Sequence, residues 1–264
     1  MKLGFIGTGN MASAIMGGII KNQIIPANEI IGADMMEAGR KRVKEQFGIQ
    51  VTADNHEVVR NSDVVILSVK PQFYAEVIAE IKDDVREDQI IITIAPGKTL
   101  AWLKEQFGKN VKIVRTMPNT PALVGEGMTA ACPNEYMTKE EIAYVLTLLE
   151  SFGRVEIIPE RLMDTVVSVS GSSPAYVFMF IEAMADAAVS GGMPRAQAYQ
   201  FAAQAVLGSA KMVLETGKHP GELKDMVCSP AGTTIEAVRV LEEKGFRSAV
   251  IEAMKTCEEI SKNM

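Results

Sequence analysis

Over the first 158 positions apolar residues fall into short runs, and most of these are separated by stretches in which apolar residues recur every three or four positions. Runs at 2–6, 29–33, 49–52, 63–68, 90–94 and 111–115 predict strands. Helical periodicity between them predicts helices over 10–20, 37–47, 74–81 and 100–107. Strands alternating with helices imply right-handed βαβ units and a mostly parallel sheet. Further runs at 128–132 and 154–158 extend that sheet around a helix over 139–151. Beyond Pro159 strand signals stop, and 174–190, 194–216 and 232–244 read as helices. Pro174, Pro194 and Pro220 suit first helical turns, where a missing N–H is harmless, and Gly191, Gly192 and Gly217 suit helix ends. The expected architecture is α/β, with a sheet domain over 1–160 and an all-helical domain over 161–264. The segment 174–189 is apolar around most of its circumference. Such a helix must be covered on all sides, by a dimer partner or by an internal core.

Composition narrows the classes. Hydrophobic residues make up 47% and charged residues 23%, a globular balance. Lys plus Arg number 27 against 33 Asp plus Glu, so a net charge of −6 gives no general footprint for nucleic acid. Cys132, Cys228 and Cys257 have neither metal-ligand nor disulfide spacing, and two histidines make a histidine metal site unexpected. The N-terminus runs straight into a strand, and the apolar window 175–189 is interrupted by Glu182 and Asp186. These features lead to the expectation of a cytoplasmic protein with no metal, nucleic-acid or membrane partner.

The chemistry begins at Gly7-Thr8-Gly9-Asn10-Met11-Ala12. Gly-x-Gly-x-x-Ala between a strand and a helix is a dinucleotide fingerprint. Gly7 permits the tight turn, Gly9 lets a pyrophosphate approach the backbone, and Ala12 lets the helix pack on the sheet. The helix N-terminus then faces the phosphates. The first domain is therefore expected to be Rossmann-like. Ligands in such sheets bind beyond the carboxyl ends of the strands. That edge gathers Asp34, Asn55, Val69-Lys70-Pro71, Ala95-Pro96-Gly97 and Met117-Pro118-Asn119-Thr120-Pro121. Asp34 is placed to bind the ribose hydroxyls of NAD and to repel the 2′-phosphate of NADP. Arg40, Lys41 and Arg42 follow closely, as phosphate ligands or as a solvated helix face.

The second informative segment is 219–235. It reads as a short helix, a Ser229-Pro230-Ala231-Gly232 turn and a new helix with Thr233 and Thr234 at its start, either a carboxylate cradle or only a capped helix start. His219 reads as the cap of the short helix. Together, Phe5 to Ala12, Val69-Lys70-Pro71, Met117 to Pro121, Gly171-Ser172-Ser173-Pro174-Ala175-Tyr176 and the 219–235 segment resemble the pyrroline-5-carboxylate reductase family over essentially the whole chain.

The resemblance implies reduction of 1-pyrroline-5-carboxylate to L-proline with NADPH or NADH. It implies an N-terminal cofactor domain and a C-terminal helical domain that forms a homodimer, with dimers assembling further into rings, a decamer among them. It places the substrate carboxylate on backbone amides of Ser229, Ala231, Gly232 and Thr233, and the Thr234 hydroxyl near the ring nitrogen. Lys70 and Asn119 then line the nicotinamide side, with Thr234 as the third catalytic residue. Four positions depart from the family pattern: Ala231 and Ser173 stand where glycine is usual, Pro96 where a small residue is usual, and Asp34 where Asn-Arg or Ser is frequent. Asp34 leaves the choice between NADP and NAD open. Two other readings fit the same residues: a related imine or β-hydroxyacid reductase, and a nucleotide-sensing protein without catalysis.

Overall fold

The computed structural model describes residues 2–263. The chain divides into two compact units. The first runs to Ser172 and takes in the chain again from Cys257, and the second spans Ser173–Thr256. The division thus falls about a dozen residues beyond the position read from composition, and the C-terminus returns to the sheet unit.

In the first unit the order is β1 (Leu3–Ile6), α1 (Asn10–Lys21), β2 (Ile30–Ala33), α2 (Glu37–Phe47), β3 (Gln50–Thr52), α3 (Asn55–Arg60), β4 (Val64–Leu67), α4 (Tyr74–Ile81), β5 (Ile90–Thr93), α5 (Leu100–Phe107), β6 (Lys112–Met117), β7 (Gly127–Pro133), α6 (Lys139–Glu150), β8 (Gly153–Ile157) and α7 (Met163–Val166). Among the described residues the strands form one sheet in the order β3-β2-β1-β4-β5-β6-β7-β8. The first six strands repeat the doubly wound dinucleotide-binding order. Only β6 and β7 pair antiparallel. Nine residues separate them, too few for the crossover that a parallel pair needs.

The strands are apolar throughout because both faces are covered. Leu3, Phe5, Val64, Ile66, Ile90 and Ile92 face one core, shared with Ile15, Met16 and Ile19 of α1 and Leu148 of α6. The alternate residues Ile6, Val65, Leu67 and Ile91 face a second core with Tyr74, Ile78 and Ile81 of α4 and Leu103 and Phe107 of α5. Helix ends follow local chemistry. Gly48 and Gly108 close α2 and α5 in the left-handed conformation, and Thr138 with Glu141 forms a capping box on α6. After α7 the chain makes a π-helical turn over Val167–Gly171.

The second unit holds α8 (Ser173–Ser190), α9 (Arg195–Thr216), α10 (Pro220–Val227), α11 (Thr233–Glu243) and most of α12 (Phe246–Lys262). Buried alanines, Ala185 of α8 with Ala198 and Ala202 of α9, mark the covered faces of this helical pair. Arg195 joins Asp186, and the rings of Phe180 and Phe246 lie 6.1 Å apart. Much of the apolar surface stays outside: Phe178 is 61% exposed, Met179 68%, Phe201 67% and Leu214 59%. Of the two covers that the apolar α8 called for, an internal core is therefore not the one found in a single chain. The helical stretch Glu160–Ser190 has 31 residues, longer than the window 175–189, and contains an 18-residue window of mean hydropathy 1.2, enough to cross a membrane by length and composition alone.

Candidate active site

The Gly-rich turn leaves β1 as expected. Gly7 adopts φ +94°, and a Cβ there would lie 2.8 Å from the Ser68 carbonyl. The Ser68 hydroxyl donates to the Gly7 carbonyl at 2.7 Å. Gly9 is the N-cap of α1, with no side chain capping the helix. Among the described residues, none beyond its two chain neighbours comes within 4 Å of where its Cβ would be. The first amides of α1, those of Asn10, Met11 and Ala12, have no intrahelical acceptor and open onto that space. An uncapped helix start beside a vacant glycine face fits the pyrophosphate of a dinucleotide. Ala12 is fully buried against the sheet.

The other residues expected at the cofactor edge lie on loops following the parallel strands. Val69 and Lys70 follow β4, with Lys70 exposed and Pro71 opening a short 3₁₀ turn. Ala95 is buried after β5, and Gly97 has φ +74°. Tyr74, which sequence reasoning passed over, braces these two loops. Its buried hydroxyl donates to the Leu67 carbonyl and accepts the Ile94 N–H. Burial pushes this phenol well above its ordinary value, so it serves as a neutral tie. Asn55 opens α3 and donates to Glu80 at 2.9 Å.

Asn119 is 8% exposed, and its side chain bridges two elements. Its Nδ2 donates to the Ser170 carbonyl at 3.0 Å, and its Oδ1 accepts the Met128 N–H at 2.8 Å. Gly171 belongs to the same corner, since a Cβ there would lie 2.8 Å from the Met117 methyl. Asp34 does not project from the sheet edge. Both its oxygens are hydrogen-bonded to neighbouring main chain and to Thr8.

A second uncapped helix start, in the helical unit, opens α11. His219 caps α10 by accepting the Gly221 N–H at Nδ1, 3.0 Å away. The chain then turns through Ser229, Pro230 and Ala231. Ala231 has φ +54°, a conformation that favours glycine. Gly232 is the N-cap of α11, again with no side-chain cap. Its N–H donates to the Ser229 carbonyl at 3.0 Å, so it closes the turn rather than facing outward. The donors without intrahelical acceptors are those of Thr233, Thr234 and Ile235. A Cβ on Gly232 would run into the Ser229 hydroxyl. The Thr233 and Thr234 hydroxyls stand in the same first turn.

Residues 160–264 match the family model for pyrroline-5-carboxylate reductase dimerisation, and residues 2–97 match that for NADP oxidoreductase, coenzyme F420-dependent. The chain is 55% identical to pyrroline-5-carboxylate reductase of Escherichia coli (strain K12), over 100% of this chain and 98% of that one. The chain belongs to the pyrroline-5-carboxylate reductase family. Identity to the enzyme of Methanosarcina acetivorans is 44%, over 100% and 97% of the two chains. The crystal structure of the Plasmodium falciparum pyrroline carboxylate reductase with NADP bound superposes with a TM-score of 0.91 at 33% identity, covering 100% of this chain and 97% of that one. The similarity covers both uncapped helix starts, and the dimerisation model spans the helices whose apolar faces are exposed.

Proposed function

We propose that the chain reduces 1-pyrroline-5-carboxylate to L-proline, taking hydride from NADPH or NADH. The observation that carries this reading is the pair of uncapped helix starts, at Gly9 and at Gly232, in one chain that aligns end to end with pyrroline-5-carboxylate reductases. The first suits a pyrophosphate. The second suits a small carboxylate, with a threonine hydroxyl beside it. The bound dinucleotide supplies the hydride, and the residues of the chain orient the reactants and set the local field.

The amides of Thr233 and Thr234 hold the substrate carboxylate, with the Ser229 hydroxyl beside them. The Thr234 hydroxyl hydrogen-bonds the ring nitrogen. A protonated imine carbon is far more electrophilic than a neutral one, so no strong protein base is required. Val69, Lys70, Pro71, Ala95 and Gly97 line the cofactor, with Lys70 towards the nicotinamide and Asn55 towards the adenosine. Asn119 acts from beneath, holding the β6–β7 connection against the π-helical turn. The protein works as a homodimer in the cytoplasm, with assembly of dimers into a decamer as the larger form, and without nucleic acid, membrane or metal. The exposed apolar residues of the helical unit support the dimer, because the family's dimerisation segment contains them.

Replacing Thr234 with Ala removes a hydrogen bond to a group that carries positive charge during hydride transfer. Steady-state turnover of the imine should fall about tenfold to a hundredfold, while NADPH binding measured by fluorescence stays as in the parent. Unchanged turnover would remove Thr234 from the reaction. A hydroxyacid reductase would instead oxidise NAD(P)H only with oxo acids, and the same assay separates the two.

A further inference from the structure

Asp34 directly follows β2, where many dinucleotide-binding sheets carry an acid that binds the ribose hydroxyls and excludes a 2′-phosphate. Here the carboxylate is occupied by the protein itself. Its Oδ2 accepts the Thr8 N–H and the Thr8 hydroxyl, each at 2.8 Å, and its Oδ1 accepts the Met36 N–H at 2.9 Å. A carboxylate offers about four acceptor positions, and three are taken. The first turn of α2 lies directly against the group: a Cβ on Gly39 would sit 3.2 Å from Asp34 Cγ and 3.1 Å from Thr8 Oγ1.

Two arginines of α2 fold back onto the same corner. Arg40 Nη1 donates to the carbonyls of Asp34 and Met35, and Arg42 Nη2 donates to the Thr8 carbonyl. Lys41 between them instead faces Glu45, and its side chain is 73% exposed. Two guanidiniums therefore gather at the carboxyl end of β2, each with N–H donors beyond those bound to carbonyls. Arginine pairs with phosphate through short charge-assisted bonds.

We propose that Asp34 is a positioning residue for the Gly-rich turn, and that Arg40 and Arg42 form the seat of a 2′-phosphate, so that the chain selects the phosphorylated dinucleotide. The proposal rests on the reading of the Gly7–Ala12 turn as a dinucleotide cradle. Asp34 fixes Thr8 between the two glycines, which sets the direction of the α1 amides for either cofactor. The arginines discriminate.

NADPH and NADH are titrated into the full-length protein by cofactor fluorescence with no imine present, and the ligand-free protein is melted alongside. Arg40→Gln and Arg42→Gln should each weaken NADPH about tenfold, the loss of about one charge-assisted contact. NADH affinity should change by less than about threefold, because it lacks the phosphate. Asp34→Ala should weaken both dinucleotides by the same factor and lower the ligand-free Tm, and Asp34→Asn, which keeps one acceptor, should fall between. Tighter NADPH binding in Asp34→Ala or Asp34→Asn would show a repelling carboxylate and overturn the positioning role. Equal losses of NADPH and NADH in the arginine variants would overturn the phosphate seat. A parent protein that binds neither dinucleotide would instead refute the cradle itself.

Discussion

Gly7 and Gly9 sit two residues apart and are glycines for different reasons. Gly7 has φ +94° and backbone within 2.8 Å of any Cβ, so the fold requires it. Gly9 has φ −69° and, among the described residues, none but its chain neighbours within 4 Å of a Cβ, so the fold would accept a methyl group there. The missing Cβ leaves room for something outside the chain. Gly9→Ala should accordingly keep the parent Tm within about 0.5 kcal/mol of stability while losing at least about tenfold in NADPH affinity. Gly7→Ala should lose stability by about 1–3 kcal/mol through backbone strain, and binding with it. Thermal melting and fluorescence titration read both. A destabilised Gly9→Ala with normal affinity would mean that the open face is not the phosphate site. At this scale the sequence pattern located the turn and the 219–235 segment, because glycine, proline and threonine at fixed offsets carry local chemistry. It could not show that Asp34 bends back onto Thr8, that the Gly232 amide closes its own turn or that Tyr74 ties two loops. Those contacts join residues whose side-chain directions are set by packing, or a tight turn in which one amide has two possible acceptors.

Among the elements, the β6–β7 connection shows most clearly how scaffold and site are coupled. It carries Asn119, and the side-chain amide holds the Ser170 carbonyl of the π-helical turn on one side and the Met128 N–H of β7 on the other. π-helical turns within helices are rare and concentrate at functional sites. Removing the amide leaves a nearly buried N–H and carbonyl to find other partners. Asn119→Ala should cost about 2–3 kcal/mol for two such bonds, seen as a lower Tm, with imine turnover reduced and NADPH affinity nearly kept. A variant that melts like the parent but no longer turns over would instead place the amide in contact with the reactants. The alternating strands and helices of the sheet unit were legible because period-2 and period-3.6 patterning follow burial directly. Helix α3 was not, since six residues give less than two turns of periodicity. Helix α12 could have been found: Phe246, Val250 and Met254 repeat at four-residue spacing beyond Gly245. The return of its end to the sheet unit, through Ser261 on Asp164 at 2.7 Å and Cys257 near the Ser172 hydroxyl, could not. Those pairs are separated by 97 and 85 residues, and nothing local encodes them.

For the molecule as a whole, the two units make opposite demands on solvent. The sheet unit buries most of its apolar residues in cores of its own, whereas the helical unit leaves large side chains of α8 and α9 in water. Burying a large apolar side chain is worth about 1.5–3 kcal/mol, so several such residues covered together outweigh the loss of freedom on association. The dimerisation segment of the family coincides with these helices, and a second copy of the chain is the cover that follows. Phe178, 61% exposed and flanked by Val177 and Met179, lies at the centre of the apolar stretch of α8. Phe178→Glu adds a charge that would have to be buried on assembly, which should shift the protein to monomers in sedimentation velocity at micromolar concentration. The Gly7–Ala12 cradle belongs to the sheet unit and is complete in its local geometry. The monomeric variant should therefore bind NADPH within about threefold of the parent. If Phe178→Glu sediments as the parent does, α8 is not what the chains share. If it turns monomeric and loses NADPH as well, the cradle depends on assembly.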